Sequence, residues 1–171
     1  TQKYLKYRNH AIFALFLFAG LRKNELLQMK LTDIDIENLS IFVRLGKGNK
    51  DRIIPMNHSL AQSLNRYLIQ RKKSGKTCPE FFTCSNRNKG LTSSGLKLLS
   101  NKLKEASGIS FTIHKLRHTF ATLMLEGGCD IYSLSKMMGH SDIKTTTIYL
   151  SASAEHLRGQ ITKHPLNDLV R

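Results

Sequence analysis

Cysteine is scarce in this chain of 171 residues, and acidic side chains are outnumbered. The three cysteines, Cys78, Cys84 and Cys129, cannot all pair with one another and form no C-x-x-C. That argues against a disulfide scaffold and a cysteine zinc cluster, and fits a reducing cytosol. No long hydrophobic run is present either. The longest extends from Ala11 to Leu21, about half of the roughly 20 residues a membrane span needs, so it reads as a buried helix. The chain does not open with a charged-then-apolar-then-small pattern, so a secretory signal has no support. Asp and Glu total 12 against 27 Lys and Arg, a formal charge of +15. A surface so charged attracts polyanions, of which nucleic acid is the commonest large one. With 40% hydrophobic residues the chain can bury a real core and is not disordered.

Periodicity predicts a mostly α fold with one small three-stranded antiparallel β-sheet, an α+β arrangement. Tyr4 to Ala19 reads as a helix, apolar on nearly every face from Ala11 and hence central, with Gly20 as its stop. Lys23 to Met29 is a second short helix. Spacing then changes to alternation through Ile34, Ile36, Ile41 and Val43, with a turn at Glu37-Asn38. A second turn, Gly46 to Asn49, leads into a strand from Arg52 to Pro55. Helical spacing returns through Leu60, Leu64, Tyr67, Leu68 and Arg71. A polar loop from Cys78 to Gly90 follows, with a short apolar touch at Phe81-Phe82. Further helices are predicted over Ser94 to Ala106, Ile113 to Leu125, and Ile131 to Met138. Asp130 caps the last of these and Gly139 closes it. Ser141 or Asp142 can cap one more, which carries Tyr149. The tail, Glu155 to Arg171, is amphipathic and interrupted by Pro165.

Several residues invite a chemical reading. His114, Arg117 and His118 share a helix face at i, i+3 and i+4. A guanidinium between two imidazoles fills a core poorly and holds a phosphate well, because arginine presents a planar fork of donors; the alternative is a solvated basic face. The same histidine spacing suits zinc in H-E-x-x-H. Here residue 115 is Lys rather than the Glu base, and a cation at Arg117 opposes a metal. His140 follows the Gly139 stop and is held on a loop, either as a helix C-terminal charge partner or as a catalyst. Tyr149 ends a threonine run that could equally be half-buried packing. Arg22 follows the glycine break with Glu25 three residues along, a buttress or an ordinary ion pair.

Taken together and in order, Gly20-Leu21-Arg22 with Glu25-Leu26, the Gly46-Lys47-Gly48 turn, His114-x-Leu116-Arg117-His118-Thr119-Phe120, Met138-Gly139-His140 and Thr145-Thr146-Thr147-Ile148-Tyr149 resemble the catalytic domain of the tyrosine recombinases, the phage-integrase and Xer family of site-specific DNA recombinases. The resemblance runs over nearly the whole chain. It implies the DNA breaking-rejoining catalytic-domain fold over residues 1–171, without the separate N-terminal core-binding domain that the family usually carries. The implied chemistry is metal- and ATP-independent transesterification at a DNA phosphodiester, without a cofactor, through a 3′-phosphotyrosyl link. Tyr149 is then the nucleophile, Lys47 the general acid, and His114 the assistant to proton departure from the phenol. Arg22, Arg117 and His140 hold the phosphate. Glu25 positions the cluster, most simply by pairing with Arg22; His118 is either a supporting residue or a packed helix histidine.

Lys50, Arg52, Lys72 and Lys73 are expected to contact the phosphate backbone of double-stranded DNA rather than to read bases. The resemblance further implies a homotetramer on DNA, a monomer away from it, and a cytoplasmic bacterial setting at the nucleoid. The apolar stripe Ile161, Leu166, Leu169 and Val170 within tail 155–171 either docks on a neighbouring protomer or packs on its own domain. Two rivals remain. A type IB topoisomerase shares the fold and the tyrosine, but generally carries lysine in place of the first histidine of H-x-x-R. A catalytically silent DNA-binding module would not need all six positions filled.

Overall fold

The computed structural model describes residues 2–44 and 51–139. Lys47, Lys50, His140, Tyr149, the helix expected after Ser141 and the tail 155–171 lie outside the described residues.

Among the described residues, six helices and three strands follow one another as α1 (Gln2–Ala19), α2 (Lys23–Gln28), a 3-10 turn (Leu31–Asp33), β1 (Ile34–Asp35), β2 (Ser40–Val43), β3 (Arg52–Pro55), α3 (His58–Lys73), α4 (Ser93–Ser107), α5 (Ile113–Glu126) and α6 (Ile131–Met138). Helix α1 is central, as its all-round apolarity predicts: Ala11, Ile12, Leu15, Phe16 and Ala19 are fully or almost fully buried, and it packs on both α3 and α5. The starts of α3, α4, α5 and α6 are capped by side chains. Asn57 Oδ1 accepts from Leu60 N at 2.8 Å, Thr92 Oγ1 from Gly95 N at 3.1 Å, Thr112 Oγ1 from Lys115 N at 3.1 Å, and Asp130 Oδ1 from Ser133 N at 2.8 Å. Each satisfies an amide that the helix itself leaves without an acceptor. No described helix is long and apolar enough to cross a membrane.

The sheet is antiparallel in the order β1-β2-β3, with Ile41 paired to Ile34 on one side and Ile54 on the other. Strand β1 is shorter than the alternation suggests. Asp35 accepts from the backbone N and side-chain Nδ2 of Asn38, at 2.9 and 2.7 Å, which bends the chain early. Ile36 therefore leaves the ladder for the turn, though it still packs against the core.

The Cys78–Gly90 loop is more than a polar connection with an apolar touch. Phe81 and Phe82 are buried to 0% and 2% exposure and ring Tyr67, with centroids 5.6 and 5.2 Å from it. Tyr67 donates to the Phe81 carbonyl at 2.8 Å, and Tyr4 bonds Thr83. Arg71, also buried, ties the Lys76, Cys78 and Glu80 carbonyls. The loop is thus one wall of the main core.

A second apolar cluster, Phe120, Ala121, Leu125, Leu134 and Met138, joins α5 to α6. Phe120 also explains the glycine that ends α1. Gly20 has φ +60°, and a Cβ there would collide with the Phe120 ring. Gly75 has φ +65° with open space around it. Gly75→Ala therefore suffers only backbone strain, about 1 kcal/mol. Gly20→Ala adds overpacking and should cost about 3–4 kcal/mol. Thermal melts should separate the two by several degrees, at about 2–4 °C per kcal/mol for a chain of this size. Equal melting temperatures would contradict the collision.

Candidate active site

The site forms where the Gly20 break, the start of α2, strand β3, the second turn of α5 and the end of α6 meet. The left-handed turn at Gly20 releases Leu21 into the core, fully buried, and delivers Arg22 as the N-cap of α2. The Glu25 side chain folds back, so that its Oε2 accepts from the Arg22 amide at 2.7 Å while its Oε1 accepts from Arg22 Nη1 at 2.9 Å. This is half of a capping box fused to an ion pair. The second Nη of Arg22 reaches the Gly139 carbonyl at 3.0 Å.

Arg117 arrives from α5, 6% exposed. Its Nη1 donates to the carbonyl of Gly20 and its Nη2 to that of Met138 at 2.6 Å. The same glycine thus serves Phe120 with its missing Cβ and Arg117 with its carbonyl. Helix α6 ends on Gly139 at φ +65°, leaving its last carbonyls without helical donors. Arg22 and Arg117, distant in sequence, take adjacent ones.

Arg52 belongs to the same cluster, and this corrects its expected place on the DNA-facing surface. Its side chain is 8% exposed. Nη1 and Nη2 fork onto Glu25 Oε1 and Oε2 at 2.8 and 3.0 Å, and Nε donates to the Met137 carbonyl at 2.6 Å. Three of its five N–H donors are thereby spent inside the protein. Glu25 accordingly has two cationic partners, where the sequence reading gives it Arg22 alone. Burial by itself would push its carboxyl up. The Arg52 hydrogen bonds, the Arg22 amide, the Arg52 charge and the Arg22 side chain outweigh that and hold it below the usual glutamate range.

The folded state therefore favours the ionised carboxylate. Its contribution to stability is complete above the unfolded value, about 4.3, and disappears as pH falls through the lower folded value. Glu25→Gln should be less stable than the parent at neutral pH, with the gap closing under acid. Denaturant melts from pH 7 to pH 3 measure this; a gap constant across that range would contradict it.

His114 is exposed on the first turn of α5, one turn before Arg117. His118 is also exposed rather than packed, with Nδ1 3.3 Å from Thr122 Oγ1. Lys72 and Lys73 are exposed in the last turn of α3. Three guanidiniums and one carboxylate leave this cluster with net positive charge, and the Arg22 side chain remains 38% exposed. A partly open, cation-rich site suits a tetrahedral anion.

Residues 1–156 match the phage integrase family. The chain is 38% identical over 165 residues to the tyrosine recombinase XerA of Pyrococcus horikoshii, covering 95% of this chain and 57% of that protein. It is 39% identical over 166 residues to the tyrosine recombinase XerC of Caldanaerobacter subterraneus subsp. tengcongensis, covering 95% and 46%. The chain thus spans about half the length of these relatives. A crystal structure of XerA recombinase superimposes with a TM-score of 0.80 at 33% identity, over 96% of this chain and 62% of that one. The catalytic domain of bacteriophage HP1 integrase shares the fold at 20% identity and a TM-score of 0.65, over 99% and 94%.

Proposed function

The chain belongs to the phage integrase family, and on that premise we propose that it is the catalytic part of a site-specific tyrosine recombinase that cuts and rejoins double-stranded DNA through a covalent 3′-phosphotyrosyl intermediate. The observation that carries this reading is the convergence of Arg22 and Arg117 on the adjacent carbonyls of Gly139 and Met138, immediately ahead of His140 in the chain. XerH, solved on its palindromic difH substrate in a post-cleavage complex, is similar at 26% identity with a TM-score of 0.77, over 95% of this chain and 47% of that one. This supports DNA as the partner.

In the reaction, the Tyr149 oxygen attacks phosphorus and the 5′-oxygen of the next nucleotide leaves. The phosphodiester is a monoanion before and after the step, and in the transition state the attacking oxygen adds negative charge that falls on the non-bridging oxygens. Arg22 and Arg117 stay protonated throughout and meet that charge with paired donors; His140 adds a third. A phenol with an ordinary pKa of about 10 needs help to ionise. The positive field lowers that demand, and His114 assists the proton's departure. Lys47 protonates the 5′-oxygen as it leaves. The ester bond conserves the energy of the broken linkage, and attack by another DNA 5′-hydroxyl restores a phosphodiester. Arginines supply the charge that a metal supplies elsewhere, so the reaction needs neither metal nor nucleotide. Assembly into a tetramer on DNA, docking of the 155–171 tail on a neighbour and a cytoplasmic, nucleoid-bound setting complete the proposal.

The test is incubation with a pool of nicked suicide duplexes enriched for binding, in chelator and without nucleotide. A covalent protein–DNA species on a denaturing gel is expected, and its absence on every bound duplex would sink the proposal. Relaxation of supercoiled DNA with no strand exchange between two sites would favour the topoisomerase instead. Affinity should fall steeply with salt, and Lys72→Gln and Lys73→Gln should each lower the log–log slope by about one phosphate's worth, roughly 0.9. An unchanged slope would remove these two lysines from the backbone contacts.

A further inference from the structure

We infer that Arg52 is a positioning residue for the phosphate-holding pair, setting both the net charge around Arg22 and the placement of the Met137–Gly139 carbonyls on which the pair rests; the inference rests on the function proposed above. Three consecutive carbonyls at the end of α6 are each held by a different arginine. Met137 accepts from Arg52 Nε at 2.6 Å, Met138 from Arg117 Nη2 at 2.6 Å, and Gly139 from Arg22 Nη2 at 3.0 Å. A helix C-terminus leaves such carbonyls unpaired and partly negative, so cations there are favourable. These three come from β3, α5 and the N-cap of α2. The end of α6 is therefore a template that fixes the two candidate phosphate ligands relative to each other, and Arg52 is the third support of that template.

Its other contact concerns charge. Glu25 alone with Arg22 would make a neutral pair and weaken the pull on an incoming phosphate. Arg52 forks across both carboxylate oxygens. The trio Arg22–Glu25–Arg52 thus keeps one net positive charge, with Arg22 as its exposed member. Arg52 holds Glu25 where it can orient Arg22 without cancelling it. Gly139 fits the same account: a Cβ there would lie 2.9 Å from Arg52 Nη1 and 3.1 Å from its Cζ, so the glycine of the Met138-Gly139-His140 segment leaves room for Arg52. Arg52 also pairs with Val43 across β2–β3, anchoring the strand that follows Lys47 by five residues in the sequence.

Arg52→Lys tests this, since lysine keeps a point charge near Glu25 but lacks the fork and the Nε donor. Expected is a drop of about tenfold or more in the single-turnover rate of adduct formation on saturating suicide duplex, with the apparent Kd within about twofold of the parent. Combined with Arg22→Lys, the loss should fall short of the product of the two separate losses, because both act through one cluster. Side-chain Nε–H signals in 15N spectra of the DNA-free chain give a second readout that needs no cleavage: Arg52→Lys should shift that of Arg22 and quicken its hydrogen exchange. An unchanged saturated rate overturns the inference, and so do unmoved Arg22 signals. Weaker binding with a lower salt slope but a normal saturated rate does so too, since it would make Arg52 a DNA-backbone contact. If the parent protein forms no adduct, the proposed function fails and the Arg22 signals alone judge Arg52.

Discussion

Tyr149→Phe is expected to bind DNA like the parent and to form no covalent adduct, a loss of roughly 10⁴-fold or more by comparison with deleting a nucleophile elsewhere. The substitution removes one oxygen and leaves the ring, so stability and affinity give the internal control. Four other tyrosines occur in the chain, and the fold disposes of two. Tyr67 is fully buried, donates to the Phe81 carbonyl, and has its phenol pushed upward, first by burial and then by Tyr4. Tyr4 is 3% exposed and bonds Thr83. Neither reaches a DNA phosphate without unfolding the core. Tyr132 is exposed on α6 beside Lys136, and Tyr7 is half-buried on α1. Denaturing gels of parent and variant on the same duplex pool decide the matter; an undiminished adduct in the variant would transfer the chemistry to Tyr132 or Tyr7.

Arg117→Ala should damage both the fold and the reaction. The side chain is buried and spans two elements, from the Gly20 carbonyl to that of Met138. Losing two charge-assisted bonds, each worth about 1.5–3 kcal/mol, costs about 3 kcal/mol or more, which is a fall in melting temperature of about 6–12 °C. Below that lower midpoint, cleavage should still run on the order of 10²–10³ slower, as for removal of a preorganised donor to a developing oxyanion. Arg117→Lys should recover part of the stability and little of the rate, because one amine cannot span both carbonyls. Calorimetry and single-turnover cleavage measure the two effects separately. A variant that melts low yet cleaves normally while folded would confine Arg117 to structure.

Much of this was legible along the chain because local rules wrote it. Glycine stops at Gly20 and Gly139, the Asp130 cap, the α6 bounds and the central apolar α1 follow from short-range chemistry, and the ordered motifs named the family. What stayed hidden depends on partners far apart in sequence. Glu25 sits three residues from Arg22, so that pair was visible; Arg52 is 27 residues away, and nothing local distinguishes an arginine that will be buried on a carboxylate from one bound for solvent. The same holds for Phe81 and Phe82, set in a polar loop, whose burial requires Tyr67 from α3 and Tyr4 from α1. Ile36 kept strand spacing but lost its place in the ladder to the Asp35–Asn38 turn, since a side-chain acceptor can outcompete one more backbone pair. Gly20 looked like a simple helix stop; the Phe120 ring that demands it lies 100 residues on.

The most direct measurement is the chemical identity of the link. Tryptic digestion of the adduct, with nuclease trimming and tandem mass spectrometry, should locate the residual nucleotide on Tyr149, the one tyrosine between Lys144 and Arg158, joined through a 3′-phosphate, with a free 5′-hydroxyl on the released strand. Attachment at another residue, or through a 5′-phosphate, would contradict the proposal that Arg22 and Arg117 hold a DNA linkage for attack by this phenol.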